Sequence, residues 1–151
     1  MDEAAFYFSY IKPEEYYSQI AYTDFTVLYR LYCSRILYSD CPQEYRHILK
    51  RRVHIAGATG KIVSLNLTRL LSGTVPEFIA ELTELKYLFL ESCQLTDIPH
   101  FLGDMPRLYH LYIDYNELQI DVNLHLDTAL SEGRYPALYI LSCDQMLAYI
   151  N

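Results

Sequence analysis

One period organises the second half of this chain. Written from Ile62 in blocks of 23 residues, the sequence sets Ile62, Leu65 and Leu67 above Leu85, Leu88 and Leu90, and those above Leu108, Leu111 and Ile113. In the same register Val75-Pro76 stands over Ile98-Pro99, Phe78-Ile79 over Phe101-Leu102, and Leu82 over Met105. A unit this short cannot close a core alone, and it buries its apolar positions by stacking on its neighbours. Counting Leu85 as position 1, the alternation at positions 4 and 6 is that of a short strand with those residues inward and positions 3, 5 and 7 outward. Strands are predicted at Ile62–Leu67, Tyr87–Leu90, His110–Ile113 and, after a longer step of 30, Tyr139–Cys143. With one strand per unit, the strands must run parallel, joined by crossovers. The extra residues before the last strand alternate Val122, Leu124 and Leu126 with polar residues between Asp121 and Asp127, which reads as an added strand or a longer returning excursion.

The second and third blocks read Leu85-x-x-Leu88-x-Leu90-x-x-Cys93-x-Leu95 and Leu108-x-x-Leu111-x-Ile113-x-x-Asn116-x-Leu118. This L-x-x-L-x-L-x-x-(N/C)-x-L pattern resembles the leucine-rich repeat family. The resemblance implies an α/β fold: a leucine-rich-repeat solenoid with a small parallel sheet of three or four strands, and a concave face that recognises proteins. Asn116 and Cys93 then read as ladder residues bonding the backbone of the neighbouring unit, and Cys93 as a buried structural thiol. The first block departs from the pattern: Leu70 takes the Asn position and Leu71 comes one residue early, so its turn should be tight or irregular. The run from Gly60 to Pro76 also looks like the opening repeat of extracellular plant-type arrays, but without their paired-cysteine cap. The sequon Asn66-Leu67-Thr68 falls on a predicted strand and reads as accidental.

Residues 1–55 are built differently and read as a helical N-terminal cap, with residues 56–151 forming the repeat domain. The seven cations and seven carboxylates of the first part cancel, so the rest carries the whole net charge of −7. Helix starts are predicted at Pro13-Glu14-Glu15, at Thr23-Asp24 as an N-cap, and at Pro42, with Phe25, Leu28, Tyr29, Tyr32 and Ile36 on one face. Val53 and Ile55 should form a capping strand before the glycine-punctuated break at Gly57–Gly60, and Met146, Leu147, Tyr149 and Ile150 should cover the other end. Nine of the 16 tyrosines fall in this first part.

An acidic balance counts against a nucleic-acid or anionic-membrane binder, since both need a basic surface. The cluster Lys50-Arg51-Arg52 reads instead as the cationic last turn of a helix. Gly57-Ala58-Thr59-Gly60-Lys61 lacks the first glycine of a phosphate loop and has Ile62 in place of its Ser or Thr. Cys33, Cys41, Cys93 and Cys143 have no CxxC spacing, and the histidines no metal-ligand spacing, so no metal, cofactor or disulfide framework is expected. The start Met1-Asp2-Glu3 is acidic where a signal peptide would be basic, which points to the cytoplasm, or to delivery into a host cell as an effector.

The outward positions stack into columns. Column three reads Ser64, Tyr87, His110, Ile140; column five Asn66, Phe89, Tyr112, Ser142; column seven Thr68, Glu91, Asp114, Asp144. Aromatic rings beside aligned carboxylates suit an interface with a partner that offers Lys or Arg next to an apolar patch. The expected site is therefore Tyr87, Phe89, Glu91, His110, Tyr112, Asp114 and Asp144, with Tyr109 and Tyr115 at its flanks. The expected function is non-catalytic protein binding, as an inhibitor or immunity-type protein or as an adaptor or effector. A structural subunit held through its Tyr-rich N-terminal helices is the other reading. Oligomeric state is left open by the sequence.

Overall fold

The 23-residue period is the register of the sheet. In the computed structural model, which describes residues 20–33, 52–143 and 146–149, the chain runs α1 (Tyr22–Cys33), β1 (Val53–Ile55), β2 (Ile62–Asn66), a 3-10 helix (Glu77–Glu81), β3 (Tyr87–Phe89), a second 3-10 helix (His100–Asp104), β4 (His110–Tyr112), α2 (Val122–Ser131), β5 (Ile140–Cys143) and β6 (Met146–Tyr149). The four predicted strands are β2 to β5, and they lie side by side, all parallel. Ser64 pairs with Tyr87, Tyr87 with His110 and His110 with Ile140, so each residue faces its counterpart in the next unit. The fold is therefore α/β, with a mixed, mostly parallel sheet in the order β1-β2-β3-β4-β5-β6. It is broader than the three or four parallel strands predicted, because β1 and β6 pair antiparallel along its two edges. β1 is the expected capping strand; β6 is a strand where only apolar cover was expected.

The inward columns make the core. Ile62, Leu85, Leu108 and Leu138 at position 1, Leu65, Leu88, Leu111 and Leu141 at position 4, and Leu67, Leu90, Ile113 and Cys143 at position 6 are all buried. On the returning side Pro76 and Pro99 stand at the N-caps of the two 3-10 helices with φ of −62° and −56°, the angle that the proline ring imposes. Ile79, Leu82, Leu102 and Met105 close the core beneath them. In the first block the turn is tight, as its departure from the pattern predicted: Leu70 N–H donates to Leu67 O at 3.0 Å, and Leu71 is the residue buried.

The segment from Asp121 is an α-helix, which overturns the added-strand reading and leaves the longer excursion. Asp121 caps it by accepting the Leu124 N–H at 3.0 Å, and Val122, Leu126 and Ala129 are buried at helical spacing. Leu124 produced the misleading alternation, and it is 64% exposed.

At the N-terminal side α1 adds Phe25, Val27, Leu28 and Leu31 to the same buried cluster as the repeats. Its Arg30 pairs with Glu81 of the first 3-10 helix and lies over the Phe78 ring, 4.8 Å from its centre. Thr23-Asp24 is not the N-cap, because α1 already begins at Tyr22. The Asp24 carboxylate turns across to β2 and accepts the Ile62 N–H. Gly57–Thr59 form the turn between β1 and β2, so the break in composition is a connection within one sheet. The helix starts at Pro13 and Pro42 and the residue Ile150 lie outside the described residues. No helix among the described residues is long and apolar enough to cross a membrane.

Candidate functional site

Because β2 to β5 are parallel and in register, their outward side chains fall into straight rows across the strands. Tyr87, Phe89, His110 and Tyr112 come together as predicted, each half-buried against the next. Phe89 and Tyr112 stack with centroids 4.7 Å apart and planes 5° from parallel. Tyr87 meets His110 edge-on at 5.1 Å. The Tyr112 hydroxyl and His110 Nδ1 lie 3.0 Å apart in a hydrogen bond that joins the two rows. Burial lowers the His110 pKa below the usual imidazole value, which favours the neutral ring.

Column two extends this patch: Tyr109, expected at its flank, is joined by Tyr139, which the sequence reading did not include. Tyr109 stacks on Tyr139 at 5.2 Å and on His110 at 4.7 Å. The signal was present: Val63, Lys86, Tyr109 and Tyr139 occupy one position of the repeat. Tyr109 is 38% exposed and belongs to the patch, whereas Tyr115, 72% exposed, sits in a turn after β4 with φ of 58°.

Column seven borders the rings with carboxylates. Glu91 and Asp114 are half-buried, and Asp114 Oδ2 accepts the Ser142 hydroxyl at 2.8 Å, which places it on the same face as column five. Asp144 lies outside the described residues. In the first unit a cation replaces the acids: Arg52 donates to Thr68 O at 2.9 Å and to Asn66 Oδ1 at 3.3 Å. The face thus has the Arg52 guanidinium beside its first unit and carboxylates beside the aromatic rows.

Beneath that face the two ladder positions act as the pattern suggested. Asn116 Oδ1 accepts the N–H groups of Cys93 and Leu95 in the preceding unit at 2.9 and 3.1 Å, and its Nδ2 donates to Leu90 O and Ile113 O. The Cys93 thiol donates to Leu67 O at 3.2 Å, and burial pushes its pKa up, away from a reactive thiolate. On the returning side a separate cleft of about 560 Å³ lies between successive units, lined by Pro76, Ile98, Pro99, Phe101 and His125 among others. No protein-family model matches the chain, and neither do any curated protein or solved structure.

Proposed function

We propose that the chain is a short leucine-rich-repeat solenoid, capped by its N-terminal segment, that binds a partner protein on the concave face of its sheet and performs no chemistry of its own. The solenoid reading is supported by three parallel strand pairings at one repeat position and by the Asn116 ladder between units. The function is carried by one observation above all: half-buried aromatic rows with a carboxylate border along one side. Such rings keep their faces on one another and leave edges and hydroxyls toward solvent, a surface that a second apolar body completes. The carboxylates select Lys or Arg beside that apolar patch and make association salt-dependent. An inhibitor that occludes a basic site and an adaptor or effector both use such a face.

The test is to isolate the partner by affinity capture from the native cell and then measure its affinity for the purified chain. Replacing Phe89 and Tyr112 together by Ala should cost about 2–4 kcal/mol, roughly 30- to 1000-fold in Kd. Unchanged affinity moves the site to the Tyr-rich N-terminal segment and sinks this reading.

A further inference from the structure

We infer that the sheet edge at β6 pairs with the same edge of a second copy of the chain, antiparallel across a two-fold axis. The inference is independent of the protein-binding reading above. It rests on backbone direction in β5 and β6 and on the contrast between the two edges of the sheet.

Backbone direction fixes what the edge offers. In β5 the Ile140 N–H donates to Tyr109 O at 3.1 Å, and Ser142 O accepts the Ile113 N–H at 2.8 Å. These two residues therefore turn their backbone groups toward β4. Leu141 and Cys143, which alternate with them, turn theirs toward β6, where they stand opposite Ala148 and Met146. The same alternation directs the N–H and C=O groups of Leu147 and Tyr149 away from β5. β6 is last in the sheet order, and among the described residues no strand pairs with its outer side. A row of outward N–H and C=O groups is a template for one kind of element, another β-strand.

The two edges are built differently. Sheets blunt an open edge with bulges, charge or proline. At β1 the register breaks between His54 and Ile55, and Lys50-Arg51-Arg52 lead into the strand. β6 has none of these devices. It pairs with β5 from Met146 to Tyr149 without a shift in register, and Gln145 to Ile150 contain no charged residue and no proline.

Such an edge complements itself. With the axis at Ala148, Leu147 of each copy stands opposite Tyr149 of the other, and each of these pairs exchanges both N–H···O bonds. The assembly then stops at a dimer, because only the blunted β1 edges remain at its ends. A head-to-tail contact of β6 on β1 would not close, and it would grow into a filament. An antiparallel pairing of identical strands puts the two-fold axis perpendicular to the sheet, so both concave faces lie on the same side of the dimer.

Sedimentation of the full chain from about 1 µM to about 1 mM tests the pairing, with Leu147→Pro and Leu147→Lys alongside. Proline removes only an N–H that points away from β5, a position where edge strands accept it. Lysine keeps every backbone group and adds the charge that β6 lacks. The parent should dimerise, and each variant should weaken the dimer at least about tenfold while keeping the parent's circular dichroism. In the parent, the Leu147 and Tyr149 amides should gain protection from hydrogen exchange as concentration rises, and the Ala148 amide should not change. Each copy carries a net charge of −7, so the dimer should hold or tighten as salt screens their repulsion. That is the opposite of the response expected when a basic partner binds the concave face. A chain that stays monomeric at about 1 mM overturns the inference. So does a dimer that survives Leu147→Lys, or one that yields to the combined Phe89→Ala and Tyr112→Ala change instead.

Discussion

Asp24 in α1 accepts the backbone N–H of Ile62, the first residue of β2, at 2.7 Å while itself only 1% exposed. Its other oxygen faces Lys61 Nζ at 3.3 Å, so the buried carboxylate is both paired and hydrogen-bonded. One side chain thereby joins the N-terminal helix to the first unit of the repeat. Asp24→Ala leaves the Ile62 N–H without its acceptor and should cost about 2–3 kcal/mol in urea unfolding. Asp24→Asn keeps a carbonyl acceptor and should cost less. Equal costs for the two variants would show that the charge, not the hydrogen bond, carries the contact.

Removing residues 1–55 takes away α1 and β1 together. Ile62, Leu65 and Leu67 are buried in the intact chain, and exposing three large apolar side chains costs ~1.5–3 kcal/mol each. That sum is comparable to a small domain's whole stability of ~5–15 kcal/mol. A fragment starting at Gly57 should show no cooperative thermal transition by circular dichroism. A soluble, monomeric, cooperatively melting fragment would show that the repeats stand alone.

Asn116 bridges two units through five backbone contacts. Asn116→Ala strands the Cys93 and Leu95 amides, and at ~1–3 kcal/mol for each unsatisfied group it should destabilise by at least about 2 kcal/mol. Asn116→Asp retains the acceptor but loses the donations to Leu90 O, Ile113 O and Asp114 O, and should fall between Ala and the parent. Cys93→Ser tests the other ladder position: it keeps a donor to Leu67 O but buries a more polar group, so a smaller loss is expected. Chemical denaturation of the three variants side by side ranks them.

The strand register was legible because a stacked repeat writes it directly: residues one period apart become neighbours, as Tyr87 and His110 do. Position 4 and 6 residues read as core for the same reason. α2 was not legible from its apolar pattern, since exposed Leu124 sits between buried Val122 and Leu126 and mimics strand alternation. The better signal was Asp121 three residues before Leu124, a helix cap. Asp24 misled in the opposite direction. A carboxylate near a helix start reads as a cap, and nothing local in the sequence says that its partner lies 38 residues away. The aromatic patch was read from columns three and five with Tyr109 at its flank, but Tyr139 was missed because position 2 precedes the strand and was not followed across units.

Tyr135 gives the last prediction. It is 2% exposed, and its hydroxyl has no hydrogen-bond partner among the described residues. Burial pushes its pKa up to about 12 from 10.0. The unfolded chain therefore releases this proton near pH 10 while the folded chain holds it, so stability is present below pH 10 and drains away between about 10 and 12. The loss amounts to about 3 kcal/mol by the end of that window. Tyr135→Phe removes both the unpaired hydroxyl and the titration. At pH 7 it should be neutral or stabilising by up to about 1 kcal/mol, and its alkaline loss should be shallower than that of the parent chain. The two proteins differ at this hydroxyl alone, so the difference between their urea-derived stability curves at pH 7, 9 and 11 isolates it. A variant that is less stable than the parent at pH 7 would mean the hydroxyl has a partner in the folded chain.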